Sequence, residues 1–293
     1  MSQNAGGDER GRAARGNLAF NLLLMVLKLT VGIVGHSEAL IADGLHSGAD
    51  VFSSLAVIFG LVVAGRPPDS GHQYGHAKAE AISQKVVSVL LLLAGLEVAN
   101  SAIATIGHPG PPPSWITLGV ALVAMVPKAF MAVSQRRLAR RTGSHGILAA
   151  ATDNQTDALA SLVAALGILG SRLGYPVGDS IAALVVAALV MWAGVDVFRT
   201  AAVDLMDPAA DPETSQQLLQ LAARVPGVVT VASMRSRLNG ARIFVDLEID
   251  VDRHLSLLEA HTIAHAVERA LYSDARVEGV TVHVNPAGED GDG

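Results

Sequence analysis

Apolar residues fill the first two thirds of the chain in long blocks, and two of these, 86–96 and 181–193, contain no charged residue. A segment of about 20 predominantly apolar residues is long enough to cross a hydrocarbon core of roughly 30 Å as a helix. Such segments are predicted over 16–36, 39–65, 79–106, 115–136, 146–170 and 179–203. The pattern therefore predicts an α-helical membrane protein with about six transmembrane helices embedded in the lipid bilayer.

Basic residues fall in alternate connectors between these spans. They lie before the first span (Arg10, Arg12, Arg15), in the second connector (Arg66, Lys78) and in the fourth (Arg136, Arg137, Arg140, Arg141). Cytoplasmic loops of membrane proteins carry the excess of lysine and arginine. We therefore expect a multi-pass protein of the inner (plasma) membrane with both termini in the cytoplasm.

After residue 207 the periodicity changes to that of a small α+β domain. Helices are predicted over 212–225 and 255–271, and strands over 228–238, 242–251 and 277–284. In the middle strand Val245 and Leu247 share one face, while Asp246 and Glu248 share the other. The Asn239-Gly240 pair indicates a hairpin between the first two strands.

These patterns predict four segments along the chain. They are a disordered cytoplasmic arm over 1–15, a transmembrane domain over 16–206, a cytoplasmic α+β domain over 207–286 and a disordered tail over 287–293. A domain of about 80 residues buries little surface by itself. We therefore expect a second copy of the chain as its partner, in a homodimer.

Composition narrows the chemistry that the chain can perform. Of its 293 residues 51% are hydrophobic and 16% are charged, and none is cysteine. Soluble chains carry about 25% charged residues. Without cysteine there is no disulfide, thiolate zinc site or thiol nucleophile, so a metal ion would need His, Asp and Glu ligands. The net charge of −6 gives no indication of nucleic-acid binding.

Two pairs of ionisable residues stand inside predicted spans. His46 and Asp50 lie four residues apart in the second span, as do Asp153 and Asp157 in the fifth. This spacing puts both members of a pair on one helix face. Ionisable residues in membrane helices are costly and mark ion pathways, and three neighbouring carboxylates need a cation or protons. The set therefore indicates a site for a small divalent cation, whereas any one of these residues alone could simply line a wet crevice.

Further histidines lie outside the spans. Asp69, His72 and His76 fall within eight residues of the second connector, a spacing that can close around one metal ion but is also compatible with a solvated loop. In the tail, His261 lies in the predicted long helix and His283 in the last strand. His261 and His265, which lie one turn apart on that helix, could each equally be a surface residue.

Three motifs resemble the cation diffusion facilitators, a family of homodimeric metal-ion/proton antiporters. They are Ala-Asp-Gly-Leu-His-Ser-Gly-Ala-Asp over 42–50, Tyr-Gly-His-Ala-Lys-Ala-Glu over 74–80, and the pair Asp153 and Asp157. The resemblance covers essentially the whole chain and implies a cytoplasmic domain of ferredoxin-like, metallochaperone-like topology. It makes His46, Asp50, Asp153 and Asp157 the transport site, and Asp69, His72 and His76 a second, loop-borne metal site.

For the cytoplasmic domain the resemblance implies a metal site at the dimer interface that contains Asp246, His261 and His283. Family members often have a further His and Asp where this chain has Ser233 and Asn285, which argues against a binuclear centre.

The same resemblance implies a salt bridge between Lys78 and Asp207. In bacterial members this pair locks the dimer near the membrane surface, and we expect the same role here.

The expected function is secondary active efflux of a divalent metal ion in exchange for protons, and not an enzyme reaction. Zinc-specific relatives commonly have His where this chain has Asp153, and the harder ligand set of this chain relaxes selection toward Fe²⁺ or Mn²⁺. Zn²⁺ remains the first expectation, with Fe²⁺ or Mn²⁺ next. His46 is the expected proton-coupling group, since histidine titrates nearest neutral pH. The chain has no phosphate-binding loop of the ATPase type.

Two alternatives remain open at this point. A membrane-embedded hydrolase could use Asp153 and Asp157 as paired carboxylates, but their position one turn apart on one helix, beside a His-Asp pair, suits metal ligation better. A passive channel is disfavoured because a site this charged would trap its ion.

Overall fold

The structure, a computed structural model, describes residues 3–107, 110–142 and 145–288. Within these residues the first part of the chain forms six long α-helices. They are α1 (Gln3–Val34), α2 (Glu38–Ala64), α3 (Ala79–Gly107), α4 (Trp115–Thr142), α5 (His145–Arg172) and α6 (Gly178–Leu205). Each predicted span overlaps one of these helices, so the prediction of a helical membrane fold is confirmed.

The helices differ in how well they suit a bilayer. Among the described residues, α2, α3, α4 and α6 are long and apolar enough to cross a membrane, with mean hydropathies of 1.8 to 2.3. α1 contributes the shorter apolar segment Leu18–Val34. α5 carries the polar run 152–157, which includes two of the predicted ligands. A helix with several polar residues in succession thus bears part of the candidate site.

The first helix begins earlier than predicted. We expected a disordered arm over 1–15, but α1 is helical from Gln3 onward. The three alanines and three arginines among residues 3–15 favour helix, although the three glycines of the same segment do not. Met1 and Ser2 lie outside the described residues.

Contacts within the chain group its residues into two compact units, and the boundary between these units differs from the one predicted at residue 207. One compact unit comprises Met1–Phe59 and Ser83–Arg199, and the other comprises Gly60–Ile82 and Thr200–Gly293. The connector between α2 and α3 therefore belongs with the α+β domain. Asn239 Nδ2 donates to the carbonyl of Tyr74 at 2.8 Å, and the Tyr74 ring meets that of Phe244 edge-on at 5.6 Å.

Small residues form much of the interior of the first unit. One cluster joins α2, α3, α5 and α6 through Ala39, Ala42, Ala102, Ala160, Ala164 and Ala183. A Cβ added at Gly167 of α5 would lie only 2.2 Å from the Cβ of Ala182 in α6. Small residues allow membrane helices to approach closely. This packing brings α2 near enough to α5 for their polar side chains to meet.

The second unit contains the α+β domain that the sequence predicts. Its elements are α7 (Pro212–Ala223), β1 (Thr230–Asn239), β2 (Arg242–Val251), α8 (Leu257–Leu271) and β3 (Val277–Pro286). The sheet order is β1-β2-β3; β1 pairs antiparallel with β2, and β2 pairs parallel with β3. Gly240 has φ +62°, which suits the predicted tight turn between β1 and β2.

One face of this sheet is buried and the other is open. Along β2, Val245 and Leu247 are 1% and 2% exposed, and α7 and α8 pack on their side through Leu218 and Val267. Asp246 stands on the other side and is exposed. The alternation predicted for this strand is confirmed, and its acidic face points away from the two helices.

The amphipathic helix starts two residues later than predicted because Ser256 caps it. Ser256 Oγ accepts from the backbone N–H of Glu259, and the Glu259 carboxylate accepts in return from the backbone N–H of Ser256 at 2.8 Å. These hydrogen bonds from Ser256 hold the pKa of Glu259 below its ordinary value. Such a capping box fixes the first turn of a helix.

The predicted disordered tail over 287–293 begins too early. The N–H of Ala287 donates to the carbonyl of Val251 at 2.7 Å, which extends the pairing beside β2. Residues 289–293 lie outside the described residues.

Candidate metal sites

α2 and α5 bring the two predicted ligand pairs together. His46 Nε2 lies 3.4 Å from Oδ1 of Asp157, and both side chains are buried. Asp50 follows His46 by one turn of α2, and Asp153 precedes Asp157 by one turn of α5. The i and i+4 spacing thus turns both pairs toward the same region of the first unit.

A cavity of about 250 Å³ opens beside these residues. Asp50, Asp153 and Asp157 all line it. Its other lining residues are Asn21, Ser53, Ser54, Lys128, Ala150 and Asn154. One water occupies roughly 30 Å³ in the liquid, so the cavity has room for a divalent ion and several waters.

The four residues predicted to form the transport site are close, but they do not form a closed coordination shell. In the described part of the chain, only the connector group Asp69, His72 and His76 has three ligand atoms within 4.8 Å of one another. Asp153 in particular is exposed. The predicted site is therefore open on the side of α5 that carries Asp153.

His46 is a buried imidazole without a hydrogen-bond partner. Both Nδ1 and Nε2 are shielded from solvent, and neither is hydrogen-bonded to any described residue. Buried polar atoms in native proteins nearly always have partners, and those without one often serve a ligand. The unpartnered nitrogen that faces Asp157 is therefore available to a metal ion.

A lysine in α4 was not predicted as part of this site. Lys128 is 2% exposed, and its Nζ lies 2.5 Å from Oδ2 of Asp157. Its signal in the sequence is a charged residue directly after Pro127 in an otherwise apolar span. Such intramembrane charges mark functional sites by default. Its partner could not be found from spacing, because α4 and α5 meet only in the folded chain.

A second buried lysine, Lys28 of α1, contacts α2 and α5 about one turn away from His46 and Asp157. Lys28 Nζ contacts Oδ2 of Asp43 at 2.9 Å, and it donates to Ser47 Oγ at 2.9 Å and Ser161 Oγ at 3.0 Å. Ser161 in turn donates to Asp43 at 2.8 Å. Neither Lys28 nor Asp43 was assigned to a site from the sequence. They form a compact polar layer that links α1, α2 and α5.

The connector between α2 and α3 assembles the second predicted group. Asp69 Oδ1 lies 3.4 Å from His72 Nδ1, and Asp69 Oδ2 lies 3.3 Å from His76 Nε2. The two imidazole rings are 4.5 Å apart. The predicted cluster thus forms within one loop of the second unit.

Backbone hydrogen bonds hold the Asp69 carboxylate in the position from which it contacts both histidines. Its Oδ1 accepts from the N–H of Gly71 at 2.8 Å and of His72 at 2.7 Å. The bond from the His72 N–H lowers the pKa of Asp69 below its ordinary value. The carboxylate is therefore ionised, as a metal ligand must be.

The predicted ion pair between Lys78 and Asp207 is present within one chain. Lys78 Nζ lies 2.5 Å from Asp207 Oδ1 and also donates to the carbonyl of Leu205 at 3.3 Å. The hydrogen bond from Lys78 lowers the pKa of Asp207. The pair fastens the end of the connector to the start of the α+β domain, and its role in a dimer remains a prediction.

The three residues predicted to bind metal in the cytoplasmic domain do not meet in one described chain. Asp246 and His283 stand on the open face of the sheet, where His283 pairs in register with Glu248. His261 instead lies on α8, which packs on the opposite face, and its ring is 4.3 Å from that of His265. Within one chain the sheet therefore separates His261 from the other two, and the predicted site at a dimer interface remains a prediction.

Family models account for most of the chain. The cation efflux transmembrane domain matches residues 17–206, and the cytoplasmic domain of cation efflux proteins matches residues 210–287. The chain is a cation diffusion facilitator. The resemblance inferred from its motifs is thus confirmed. The protein is a metal-ion transporter and not an enzyme, which removes the membrane hydrolase as an alternative.

Several curated proteins are similar to this cation diffusion facilitator over nearly their whole length. The manganese efflux system proteins MneS and MneP of Bacillus subtilis (strain 168) are 30% and 32% identical. Each alignment covers 92% of this chain and 93% of the relative. The magnetosome protein MamM of Paramagnetospirillum magneticum is 35% identical over 88% of this chain and 82% of its own.

Among solved structures, a nickel form of a variant MamM C-terminal domain is similar to the α+β domain. It is 30% identical, with a TM-score of 0.26, and the match covers 26% of this chain and 98% of that one.

Proposed function

We propose that this cation diffusion facilitator exports a divalent transition-metal ion from the cytoplasm in exchange for protons. The observation that carries the proposal is the pairing of His46 with Asp157 beside a cavity lined by Asp50 and Asp153. A buried imidazole without partners next to three carboxylates supports the binding of a cation. Carboxylates this close repel one another unless a cation or protons neutralise them.

The ligand set and the relatives together favour manganese. One nitrogen and three carboxylates form a hard site, and carboxylate-rich sites suit Mn²⁺ better than the nitrogen- and sulfur-rich sites typical of zinc. MneS and MneP, at 30% and 32% identity, are named as manganese efflux proteins. We therefore place Mn²⁺ before Fe²⁺ and Zn²⁺, which reverses the order inferred from the motifs.

Exchange for protons follows from the chemistry of the ligands. His46 must be neutral to bind a metal ion and the carboxylates must be ionised, so metal binding releases protons and protonation releases metal. Histidine is the side chain best placed for this exchange near neutral pH. Transport then requires the helices to expose the site alternately to the two sides of the membrane.

We further propose a homodimer in the inner membrane with both termini in the cytoplasm. The distribution of arginine among the connectors supports this orientation. The small size of the α+β domain, about 80 residues, supports a protein partner for it, because such a domain buries little surface by itself. A site that joins Asp246 and His283 to His261 needs a second copy of the chain. Asp69, His72 and His76 are proposed to bind a metal ion in each protomer.

The proposal is tested by metal uptake into proteoliposomes with an imposed pH gradient. The full chain is reconstituted and supplied separately with Mn²⁺, Fe²⁺ and Zn²⁺, beside the Asp50→Ala variant. Glu97→Gln is the matched control, because Glu97 is an exposed carboxylate of α3 that does not line the cavity. We expect gradient-driven uptake, greatest for Mn²⁺, in the native chain and the control, and none with Asp50→Ala.

Two results would overturn parts of this proposal. Uptake that is independent of the pH gradient would remove proton exchange. Uptake that persists at the native rate in Asp50→Ala would remove the α2 and α5 residues as the transport site.

A further inference from the structure

The ammonium group of Lys128 is a second positive charge beside the proposed transport site, where it competes with the transported ion for Asp157. Lys128 lies in α4, it is 2% exposed, and its ammonium group is 2.5 Å from Asp157 Oδ2. Lysine is almost never fully buried unless it is paired. Here the paired carboxylate is itself one of the four proposed ligands, and Lys128 lines the same cavity as Asp50 and Asp153.

The two oxygens of Asp157 are divided between two neighbours. Oδ1 faces His46 Nε2 at 3.4 Å, whereas Oδ2 is held by Lys128 at 2.5 Å. A metal ion bound to His46 can therefore reach Asp157 through Oδ1 alone. Chelation by both oxygens would require the ammonium group to leave.

We propose that Lys128 is a resident counter-ion of the transport site, which keeps Asp157 a one-oxygen ligand and weakens the binding of the metal ion enough for its release. This role rests on the proposed transport function. An ammonium group near a divalent ion repels it, and this repulsion is stronger inside a protein than in water. The charge of three carboxylates equals that of one divalent ion plus one ammonium group, so the loaded site is neutral only when Lys128 is present.

The surroundings of the two buried lysines differ in a way that supports this role. Lys28 has an aspartate and two serine hydroxyls as partners within 3.0 Å. Lys128 contacts Asp157, a proposed ligand, directly. Lysine is also a compact charge on a flexible four-carbon stem. Its ammonium group can shift within the cavity as an ion enters or leaves.

The role also bears on which ions the site accepts. Ca²⁺ takes six to eight oxygen ligands and often uses both oxygens of a carboxylate. Because Lys128 occupies Asp157 Oδ2, it disfavours such large, oxygen-demanding ions. Lys128 is thus a positioning residue that determines specificity through Asp157.

The test is the concentration dependence of Mn²⁺ uptake into proteoliposomes, together with Mn²⁺ titration of the purified full chain. The variants are Lys128→Met, Lys128→Gln and Lys128→Arg. Lys85→Met is the matched control, because the Lys85 ammonium lies 4.5 Å from the centre of the Phe198 ring and outside the cavity. Lys128→Gln keeps a donor to Asp157 without the charge, so it serves even if Lys128→Met does not fold.

Removal of the Lys128 charge is expected to lower both the KM and the maximal rate of Mn²⁺ uptake. Lys128→Met and Lys128→Gln lower KM on the order of tenfold, lower the maximal rate, and make Mn²⁺ uptake sensitive to competing Ca²⁺. Lys128→Arg and Lys85→Met stay near the native values. A purely structural lysine would lower the amount of active protein without lowering KM.

The outcomes separate this inference from the proposed function. Native uptake with an unchanged or higher KM in folded Lys128→Gln overturns the role of Lys128 and leaves the transport function standing. Absence of Mn²⁺ binding and uptake in the native chain overturns both.

Discussion

The ammonium group of Lys28 lies 2.9 Å from Oδ2 of Asp43, and both side chains are almost completely buried, at 1% and 0% exposed. Asp43 precedes His46 by about one turn of α2, and Ser161, which hydrogen-bonds to both members of the pair, follows Asp157 by one turn of α5. The ion pair therefore fixes the two helices that bear the proposed ligands against each other, next to the proposed transport site.

Removal of either partner is expected to destabilise the helical unit. Lys28→Met or Asp43→Asn leaves a buried group uncompensated, at a cost of about 3–5 kcal/mol in the free energy of unfolding. The double variant Lys28→Met/Asp43→Leu should recover most of this loss, since apolar replacements of both partners are often tolerated. Denaturant unfolding in detergent measures all three, with Lys85→Met as control. Native stability in both single variants would show that the ion pair does not hold the helices.

Replacement of one oxygen ligand by nitrogen is expected to change the preferred ion. Asp153→His gives two nitrogens and two carboxylates, a set that suits Zn²⁺. We expect the ratio of Zn²⁺ to Mn²⁺ uptake to rise in competition assays. Gln155→His is the matched control, because Gln155 also lies in α5 but lines a different cavity. An unchanged ratio in Asp153→His would contradict the argument from ligand hardness.

The stability that the Lys78–Asp207 ion pair contributes depends on pH only in the acidic range. Lys78 holds the pKa of Asp207 below its ordinary value of 3.8. The contribution of the pair is therefore complete above that value and is lost as the pH falls through the lowered pKa, with no change between pH 5 and 8. Lys78→Met should speed hydrogen exchange of residues 66–78 throughout this neutral range.

Arg242→Met is the control for the connector experiment. Arg242 also forms an exposed ion pair in the second unit, 3.3 Å from Glu278. Its loss should leave exchange of the connector unchanged. A connector that exchanges at the native rate in Lys78→Met would show that Asp207 does not fasten it.

Much of the fold follows from patterns within single segments. Long apolar runs locate the helices to within a few residues, apart from the polar first turns of α1 and the last turns of α4, which end at Thr142 and not at residue 136. Alternation in β2 separates Val245 and Leu247 from Asp246, as burial confirms. The pairs at i and i+4 identify α2 and α5 as the helices that meet, because each pair is a local pattern on one helix face.

The remaining features depend on contacts between segments. Lys128 and Lys28 are visible as charges in apolar helices, but their partners lie on other helices, so only the folded chain shows that Lys128 contacts a proposed ligand. The sequence also does not show that His261 and His283 lie apart within one chain. Their residue types fit, but α8 and the open face of the sheet lie on opposite sides of β2.

Anomalous scattering at the manganese absorption edge, from crystals of the full chain soaked in Mn²⁺, tests the central claim most directly. The account predicts a peak within coordination distance of His46 Nε2 and of carboxylate oxygens of Asp50, Asp153 and Asp157, and loss of that peak in Asp50→Ala. A peak at Asp69, His72 and His76 would bear on the connector site alone. Anomalous peaks elsewhere, with none between α2 and α5, would contradict the assignment of the transport site.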